Sequence, residues 1–362
     1  MKLCFLAGAN SIHSYRWIKY FATAGHEVTW ISLSPNIFES LPGVRFYEVK
    51  GASGLLGLLR AAVKVRKIIA HARPDILHVH SVGTYGAMGL LSGFDPIIAT
   101  PWGSDVLYGK ESPLKRPLIA RILRRAAMIT CDAWHMRDEV MQFGVPLERI
   151  KIINFGIDTE RFSSHPPNPA IRSANHLGGA PAVISLRNFE PVYDIPTLLK
   201  AVPKVLEQHP DTHFMLVGRG SLEAELKALA SQLGIDHVVH FVGFVPNDQL
   251  PDTLCSLDVY VSTSLSDAGI AASTAEAMAC GLPVVISNSG ENSRWIDDGV
   301  NGLMVPISQP AALADRLIQL LADVNMRQRL GQAGRATIQA RNDYLVEMGK
   351  MGTLYQQIAV SQ

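Results

Sequence analysis

Ser264 to Pro283 reads S-L-S-D-A-G-I-A-A-S-T-A-E-A-M-A-C-G-L-P. A polar, glycine-bearing loop runs here into an apolar helix with a single carboxylate, Glu276, and the V-V-I-S that follows Pro283 is short, β-branched and apolar. The unit is therefore strand, loop, helix, strand, an arrangement that places ligands at the carboxyl ends of parallel strands. A loop that brings backbone N–H groups and a helix N-terminus to one point is an anion site. Glu276 stands about one and a half turns further in, able to accept from hydroxyls. That pairing suits a phosphorylated ribose.

The same alternation extends in both directions. Before the quoted stretch come strand patterns at Leu3–Ala7, Val28–Ser32, Ile76–His80, Ile97–Ala99, Met128–Thr130 and Ile150–Asn154, separated by helical patterns near His13–Thr23, Leu56–Ala72, Pro117–Ala127 and Ala133–Phe143. Such a βαβ succession gives a mostly parallel sheet covered on both faces. Ser163 to Ala180 is rich in Pro, Gly, Ser and Asn and lacks a sustained apolar period, so it reads as a linker. A second series then runs through Ala182–Leu186, Ile195–Gln208, His213–Gly218, Leu222–Leu233, Val238–Val242, Asp248–Cys255 and Val259–Ser262 to helices from Pro310 onward. At 362 residues the chain exceeds one core. The expected organisation is a doubly wound domain over 1–165, a linker over 166–180 and a second such domain over 181–342, with the final helix near 343–362 packing back on the first. A cleft between two such domains is a preferred place for a small-molecule site.

With 33 basic against 32 acidic residues, the charge balance argues against nucleic acid as a partner and leaves phosphate or membrane contacts to local patches. Cys4, Cys131, Cys255 and Cys280 have neither metal-ligand nor disulfide spacing, so they read as reduced thiols of a cytoplasmic protein. The apolar run in M-K-L-C-F-L-A-G-A-N is too short for a signal sequence and reads as a first strand, and no segment reaches the ~18 apolar residues of a membrane span.

Six motifs in order carry a family resemblance. They are A-N-S-I-H-S-Y-R-W at the first strand end, D-I-L-H-V-H-S at 75–81, N-F-G-I-D-T-E-R-F at 154–162, L-V-G-R-G at 216–220, F-V-G-F-V-P at 241–246, and A-E-A-M-A-C-G-L-P-V-V with D-G-V-N-G-L at 298–303. Over nearly its whole length the chain resembles the family-4 retaining glycosyltransferases of the GT-B fold, two Rossmann-like doubly wound domains facing a central cleft. The resemblance implies sugar transfer from a nucleotide-sugar donor, a UDP-sugar on family frequency or a GDP-sugar, to a hydroxyl of a glycan or lipid-linked glycan. It also implies a metal-independent enzyme without a cofactor, the nucleotide sugar being a substrate.

Carried onto this sequence, the resemblance assigns Glu276 to the ribose hydroxyls and Arg187 to the leaving diphosphate. It departs at two places. A second carboxylate expected eight positions before Glu276 falls on Ala268, with Asp267 one step early, so either Asp267 takes the role or the sugar is held by backbone groups of Gly269, Ile270 and Ala271. The lysine expected five residues after Arg187 aligns best with Tyr193, which leaves charge neutralisation to Arg187, the helix N-terminus and Arg294. Ser273 and Thr274 are candidate phosphate donors or simple capping residues. Phe244 and Val245 match a base-binding turn. Gly218 and Gly220 fit a tight turn near the donor, or serve positive-φ geometry alone.

In the first half, Asn10 and Ser11 at the first strand end are expected near the donor phosphate, with His13 and Arg16 entering the following helix and His13 a candidate for the acceptor. His78 and His80 are read as facing opposite sides of their strand, His80 being the catalytic candidate and His78 a core residue. Trp102 stands where the family commonly has a histidine; it is placed against an acceptor ring, with Asp105 accepting acceptor hydroxyls, or else the pair is a core Trp and an N-cap Asp. Basic and apolar residues mix over 54–70 and 115–127, a pattern shared by helices that lie on anionic lipid and by helices packed on a sheet with a basic outer face. The first reading would place the protein at the inner face of the plasma membrane. Two rival functions remain open on the sequence: an epimerase of the same architecture, and a degenerate binding subunit, motivated by Ala268 and Tyr193.

Overall fold

The computed structural model describes every residue except Ser53, Ala268, Ser361 and Gln362, and the side chains of all described residues except Leu55, Ser104 and Tyr108. The chain forms two compact units, one of residues 1–155 with 345–362 and one of residues 156–344.

The first unit holds seven strands: β1 (Lys2–Leu6), β2 (Glu27–Ser32), β3 (Val44–Glu48), β4 (Ile76–His80), β5 (Ile97–Thr100), β6 (Met128–Cys131) and β7 (Ile150–Ile152). They pair in parallel in the order β3-β2-β1-β4-β5-β6-β7. β1 and β4 are buried almost throughout, which is why K-L-C-F-L and I-L-H-V-H read as continuous apolar runs. The order reverses direction between β1 and β4, the switch point at which doubly wound sheets take ligands. The C-terminal helix, Tyr344–Val360, is tied to this unit by polar contacts from its inner face. Glu347 Oε2 accepts the Asn154 N–H at 2.8 Å, and Tyr355 Oη meets His78 Nδ1 at 2.6 Å.

The second unit holds β8 (Ala182–Ser185), β9 (His213–Val217), β10 (Val239–Gly243), β11 (Val259–Ser262), β12 (Val284–Ser287) and β13 (Leu303–Val305). All pair in parallel, in the order β10-β9-β8-β11-β12-β13. This is the strand order of a dinucleotide-type fold, with its switch point between β8 and β11. One apolar cluster fills the face under the helices Ile195–Leu206 and Pro310–Ala322; a second fills the opposite face, beneath the helix Ala272–Ala279. Side chains such as Leu199, Val202 and Leu317, fully shielded, each contribute about 1.5–3 kcal/mol by leaving water.

The structure corrects the sequence reading at several points. The boundary falls at Phe155/Gly156 rather than at 165, and the stretch read as a linker belongs to the second unit. Its polar composition is that of a short helix, Pro169–Ala174, capped by Asn168, with Leu177 buried in the core. Strands β3 and β13 and the helices Thr84–Ser92 and Ser104–Lys110 are additional elements, and the last two are glycine-bearing segments with weak helical periodicity. Three of the cysteines are buried and Cys255 is half-buried; all four are free thiols.

Candidate functional site

Arg187 follows β8 and Asp267 lies in the loop after β11, so the switch point of the second sheet brings them together. The Arg187 guanidinium donates to Asp267 Oδ1 at 2.5 Å and to Ser264 Oγ at 2.6 Å. Its carbon sits 4.3 Å from the centre of the Tyr193 ring. Both charged residues are only 9% exposed, so this is a desolvated ion pair rather than a surface one. It is incomplete: Arg187 Nε and Asp267 Oδ2 are buried without a hydrogen-bond partner among the described residues. Buried polar groups of native proteins are nearly always satisfied, so these two atoms are left for a ligand or an ordered water to complete.

Tyr193 therefore takes part through its ring face as well as through its place in sequence. Its turn, Pro191–Tyr193, is fastened to the loop after β11, since Tyr193 O accepts from Thr263 Oγ1 at 2.9 Å and Val192 O accepts from the Leu265 N–H at 2.8 Å. Gly218 and Gly220 have a reason other than positive φ. A Cβ at Gly218 would lie 2.3 Å from Arg187 O, and one at Gly220 2.3 Å from Phe189 O. Close approach of two backbones fixes where Arg187 starts.

The helix after the loop spans Ala272–Ala279 with Ala271 at its N-cap. Alanine has no oxygen to cap with, so the first-turn N–H groups have no side-chain cap and stay available to an anion. Ser273 and Thr274 do not cap it: Ser273 Oγ lies 2.9 Å and Thr274 Oγ1 3.2 Å from Tyr260 Oη, which pins the first turn to β11. Glu276 is half-buried on this helix, Gly269 and Ile270 are half-buried before it, and Ile270 packs on the core beneath. Ala268 lies outside the described residues. Phe244 is exposed and Val245 half-buried after β10, while Arg294 is exposed on the helix Asn292–Trp295. If Glu276 holds a ribose, Glu276→Ala weakens nucleotide-sugar affinity at least about tenfold, the worth of a charge-assisted hydrogen bond, with an unchanged melting profile. Titration calorimetry decides, and unaltered affinity removes Glu276 from the site.

Sequence reasoning missed the serines. A-V-I-S, V-Y-V-S and V-V-I-S close β8, β11 and β12 on Ser185, Ser262 and Ser287, a repeated signal of three apolar residues and a hydroxyl. Ser262 Oγ is 3.2 Å from Ser264 Oγ, Ser287 donates to Ser264 O, and Ser185 Oγ is buried without a partner among the described residues. The strand ends thus form a polar floor under the ion pair.

The first unit gathers aromatic rings at its own strand ends. Trp102 and Phe155 stack at 5.3 Å, and Phe155 and His13 at 4.4 Å. Phe155, from the N-F-G motif, was not singled out in the sequence. Ser11 caps the helix Ile12–Thr23, accepting from the Ser14 N–H, and Asn10 is exposed, accepting from Ser34 Oγ at 3.2 Å. Asp105 departs from its expected role as a hydroxyl acceptor. Its Oδ1 accepts the N–H groups of Trp102 and Val106 at 3.0 and 3.1 Å and its Oδ2 that of Val82 at 2.6 Å, so the carboxylate is a loop brace.

The histidines also differ from expectation. Residues two apart on a strand share a face, and the His78 and His80 rings are indeed 4.6 Å apart. His78 bridges Tyr355 Oη and Thr100 Oγ1, each at 2.6 Å, as a satisfied core residue. His80 is 1% exposed among Phe5, Trp17 and Trp102; its Nδ1 meets Ser14 Oγ at 3.1 Å and its Nε2 is buried without a partner among the described residues. Burial, with His13 nearby, pushes its pKa down to about 3, and burial drives His78 well below the ordinary value. Both are neutral when folded, whereas the unfolded chain protonates them near pH 6.5. The contribution of His80 is full above that pH and is lost as pH falls toward 3, about 2 kcal/mol of it by pH 5, and His78 shifts stability in the same direction. Urea unfolding at pH 7 and pH 5 is expected to show this loss, with a smaller pH difference in His80→Gln; equal differences would refute it.

Two parallel doubly wound units, with an ion pair and an uncapped helix N-terminus at the switch point of the second, are the architecture of GT-B enzymes. Residues 168–337 match the family model for glycosyl transferases group 1, and residues 2–133 match that for glycosyl transferase 4-like proteins. The chain belongs to this glycosyltransferase family, and it is an enzyme that transfers a sugar from a nucleotide sugar. It is 29% identical over 257 residues to the GDP-mannose-dependent alpha-(1-6)-phosphatidylinositol monomannoside mannosyltransferase of Mycolicibacterium smegmatis, covering 69% of this chain and 67% of that one. It is 28% identical over 374 residues to the phosphatidyl-myo-inositol mannosyltransferase of the same organism, covering 97% and 91%. Among solved structures, HepE of Anabaena in complex with UDP superposes with a TM-score of 0.82 at 19% identity, over 99% of this chain and all of that one, a likeness of fold.

Proposed function

We propose that this enzyme transfers mannose from GDP-mannose, with retention and without a metal, to a hydroxyl of a phosphate-bearing, lipid-linked acceptor in glycoconjugate synthesis at a membrane surface. The observation that carries the donor site is the ion pair with two orphaned atoms, Arg187 Nε and Asp267 Oδ2. A diphosphate satisfies the first and a sugar hydroxyl the second. Arg187 then turns part of its charge from Asp267 to the leaving group, assisted by the N-terminus of the helix at Ala272, while Glu276 accepts from the ribose. The resemblance to retaining enzymes supports same-face attack, the leaving phosphate oxygen taking the acceptor proton; enclosed, neutral His80 is not assigned that proton.

The mannosyltransferase relatives favour GDP-mannose over the UDP-sugar expected from family frequency, and their phosphatidylinositol acceptors favour a lipid. Peripheral attachment on the cytoplasmic side fits that acceptor, and no helix among the described residues is long and apolar enough to cross a membrane. The Trp102, Phe155 and His13 rings offer an apolar plane for a sugar or inositol ring. Thermal-shift measurements with GDP-mannose and UDP-glucose test the base, since the true donor stabilises by mass action. Stabilisation by UDP-glucose alone would overturn the GDP assignment. Transfer from labelled GDP-mannose to phosphatidylinositol, with the product anomer read by NMR, tests acceptor and stereochemistry together.

A further inference from the structure

The helices Gly54–Ala72, Thr84–Ser92 and Lys115–Arg125 of the first unit surround a cavity of about 450 Å³. Leu58, Leu59, Ala87, Met88, Leu91 and Leu118 form its apolar wall. The volume lies in the range of small-molecule sites, whereas close-packed interiors leave few voids larger than a water. The cavity opens outward, because Leu59, Leu91 and Leu118 are 50%, 51% and 43% exposed. Leu56 and Leu114, 70% and 89% exposed, extend the apolar surface at helical spacing from Leu59 and Leu118.

Charge selects the occupant. The first of these helices carries four Lys/Arg and the third five, with no Asp or Glu on either, in a chain whose net charge is +1. Lys115 lines the cavity and has no ion-pair partner among the described residues. The single carboxylate in the wall, Asp105, already accepts three backbone N–H groups, one of them from Trp102. The wall is thus continuous with the loop that carries the Trp102 ring, and its free charge is a cation. An apolar cavity with an exposed lysine in its lining fits an anionic amphiphile.

We propose that this cavity docks one hydrocarbon chain of the phosphate-bearing lipid acceptor, with Lys115 at the lipid phosphate. The site itself rests on the cavity and its charges; that the chain belongs to the acceptor rests on the lipid reading above. The test uses the full chain, with dansyl-undecanoic acid as reporter and dodecyl phosphate as competitor. Dodecyl phosphate is expected to displace the reporter and butyl phosphate to fail. Ala87→Trp, which fills the cavity, should weaken dodecyl phosphate by at least about tenfold. Lys115→Glu should weaken dodecyl phosphate while sparing neutral dodecyl maltoside. Leu91→Trp, at the half-exposed rim, replaces Ala87→Trp should that variant not fold. Equal binding by wild type and the filled variants overturns the proposal, as does a dimer in sedimentation velocity that Leu118→Glu dissolves. Mannose transfer to glycerophosphoinositol, which has no chain, separates the two readings: transfer without dodecyl phosphate binding sinks the cavity alone. Dodecyl phosphate binding without transfer to any lipid overturns the acceptor's ownership of the chain.

Discussion

Arg187→Met is expected to lower kcat by about 10²- to 10³-fold, the cost of removing a preorganised charge from a developing anion, and to destabilise the protein by about 3–5 kcal/mol. The two effects have separate causes, and a second substitution separates them. Loss of the guanidinium leaves Asp267, 9% exposed, as a buried charge without the partner at 2.5 Å that stabilises it. That accounts for the stability loss, which for a unit of this size amounts to about ten degrees in melting temperature. Adding Asp267→Leu removes the stranded charge and should restore most of the melting temperature, since an apolar pair of similar volume commonly replaces a buried ion pair without loss. Activity should stay low, because nothing else in the contact set carries a positive charge to the leaving diphosphate: Tyr193 contributes a ring face and Ser264 a hydroxyl. A double variant that regains wild-type kcat would show Arg187 to be structural. A variant that loses KM alone would make it a ground-state binder.

How much of this was legible in the sequence depends on the kind of contact. The strands β11 and β12 were read to their last residues, because V-Y-V-S and V-V-I-S are short β-branched runs that both faces of a parallel sheet demand. The resemblance to a family names Arg187 and puts the carboxylate on Ala268, leaving Asp267 as one of two alternatives; the pairing of Arg187 with Asp267 joins residues 80 apart and follows from the strand order that sets β8 beside β11. Asp105 has two readings in the sequence, a hydroxyl acceptor or a carboxylate engaged at the start of a helix, and the structure engages it with backbone N–H groups. The contacts to Trp102 and Val106 are local, while that to Val82, 23 residues away, is set by the fold. The two histidines were placed on opposite faces although a separation of two puts them on one, and their burial, not their spacing, decides their protonation. Pro, Ser and Asn compose both flexible segments and capped short helices, and here the Asn168 cap, the Arg172 bonds to Gly178 O and Ser256 O, and the burial of Leu177 mark the second.

Gly290→Ala is expected to abolish donor binding by displacing the loop that holds Asp267, although Gly290 itself offers no side chain to any ligand. Gly290 lies in S-N-S-G-E-N after β12 at φ +53, and a Cβ there would fall 1.7 Å from the carbonyl oxygen of Asp267. Backbone on both sides leaves no flexible end to yield, so one of the two loops must move. The ion pair, made at 2.5 Å, does not survive a shift of that size. Left-handed backbone strain alone would cost about 1–2 kcal/mol, and Gly299→Ala measures that part, since Gly299 has φ +79 with nothing within 4 Å of its would-be Cβ. Gly299→Ala should therefore lose a few degrees of melting temperature and keep its donor affinity. Gly290→Ala should lose both, with a nucleotide-sugar affinity reduced beyond about a hundredfold, at least the sum of one charged contact and one positioned hydroxyl acceptor. Equal donor affinities in the two variants would mean that the Asp267 loop tolerates displacement, and the site would then rest on the helix N-terminus and Glu276 alone.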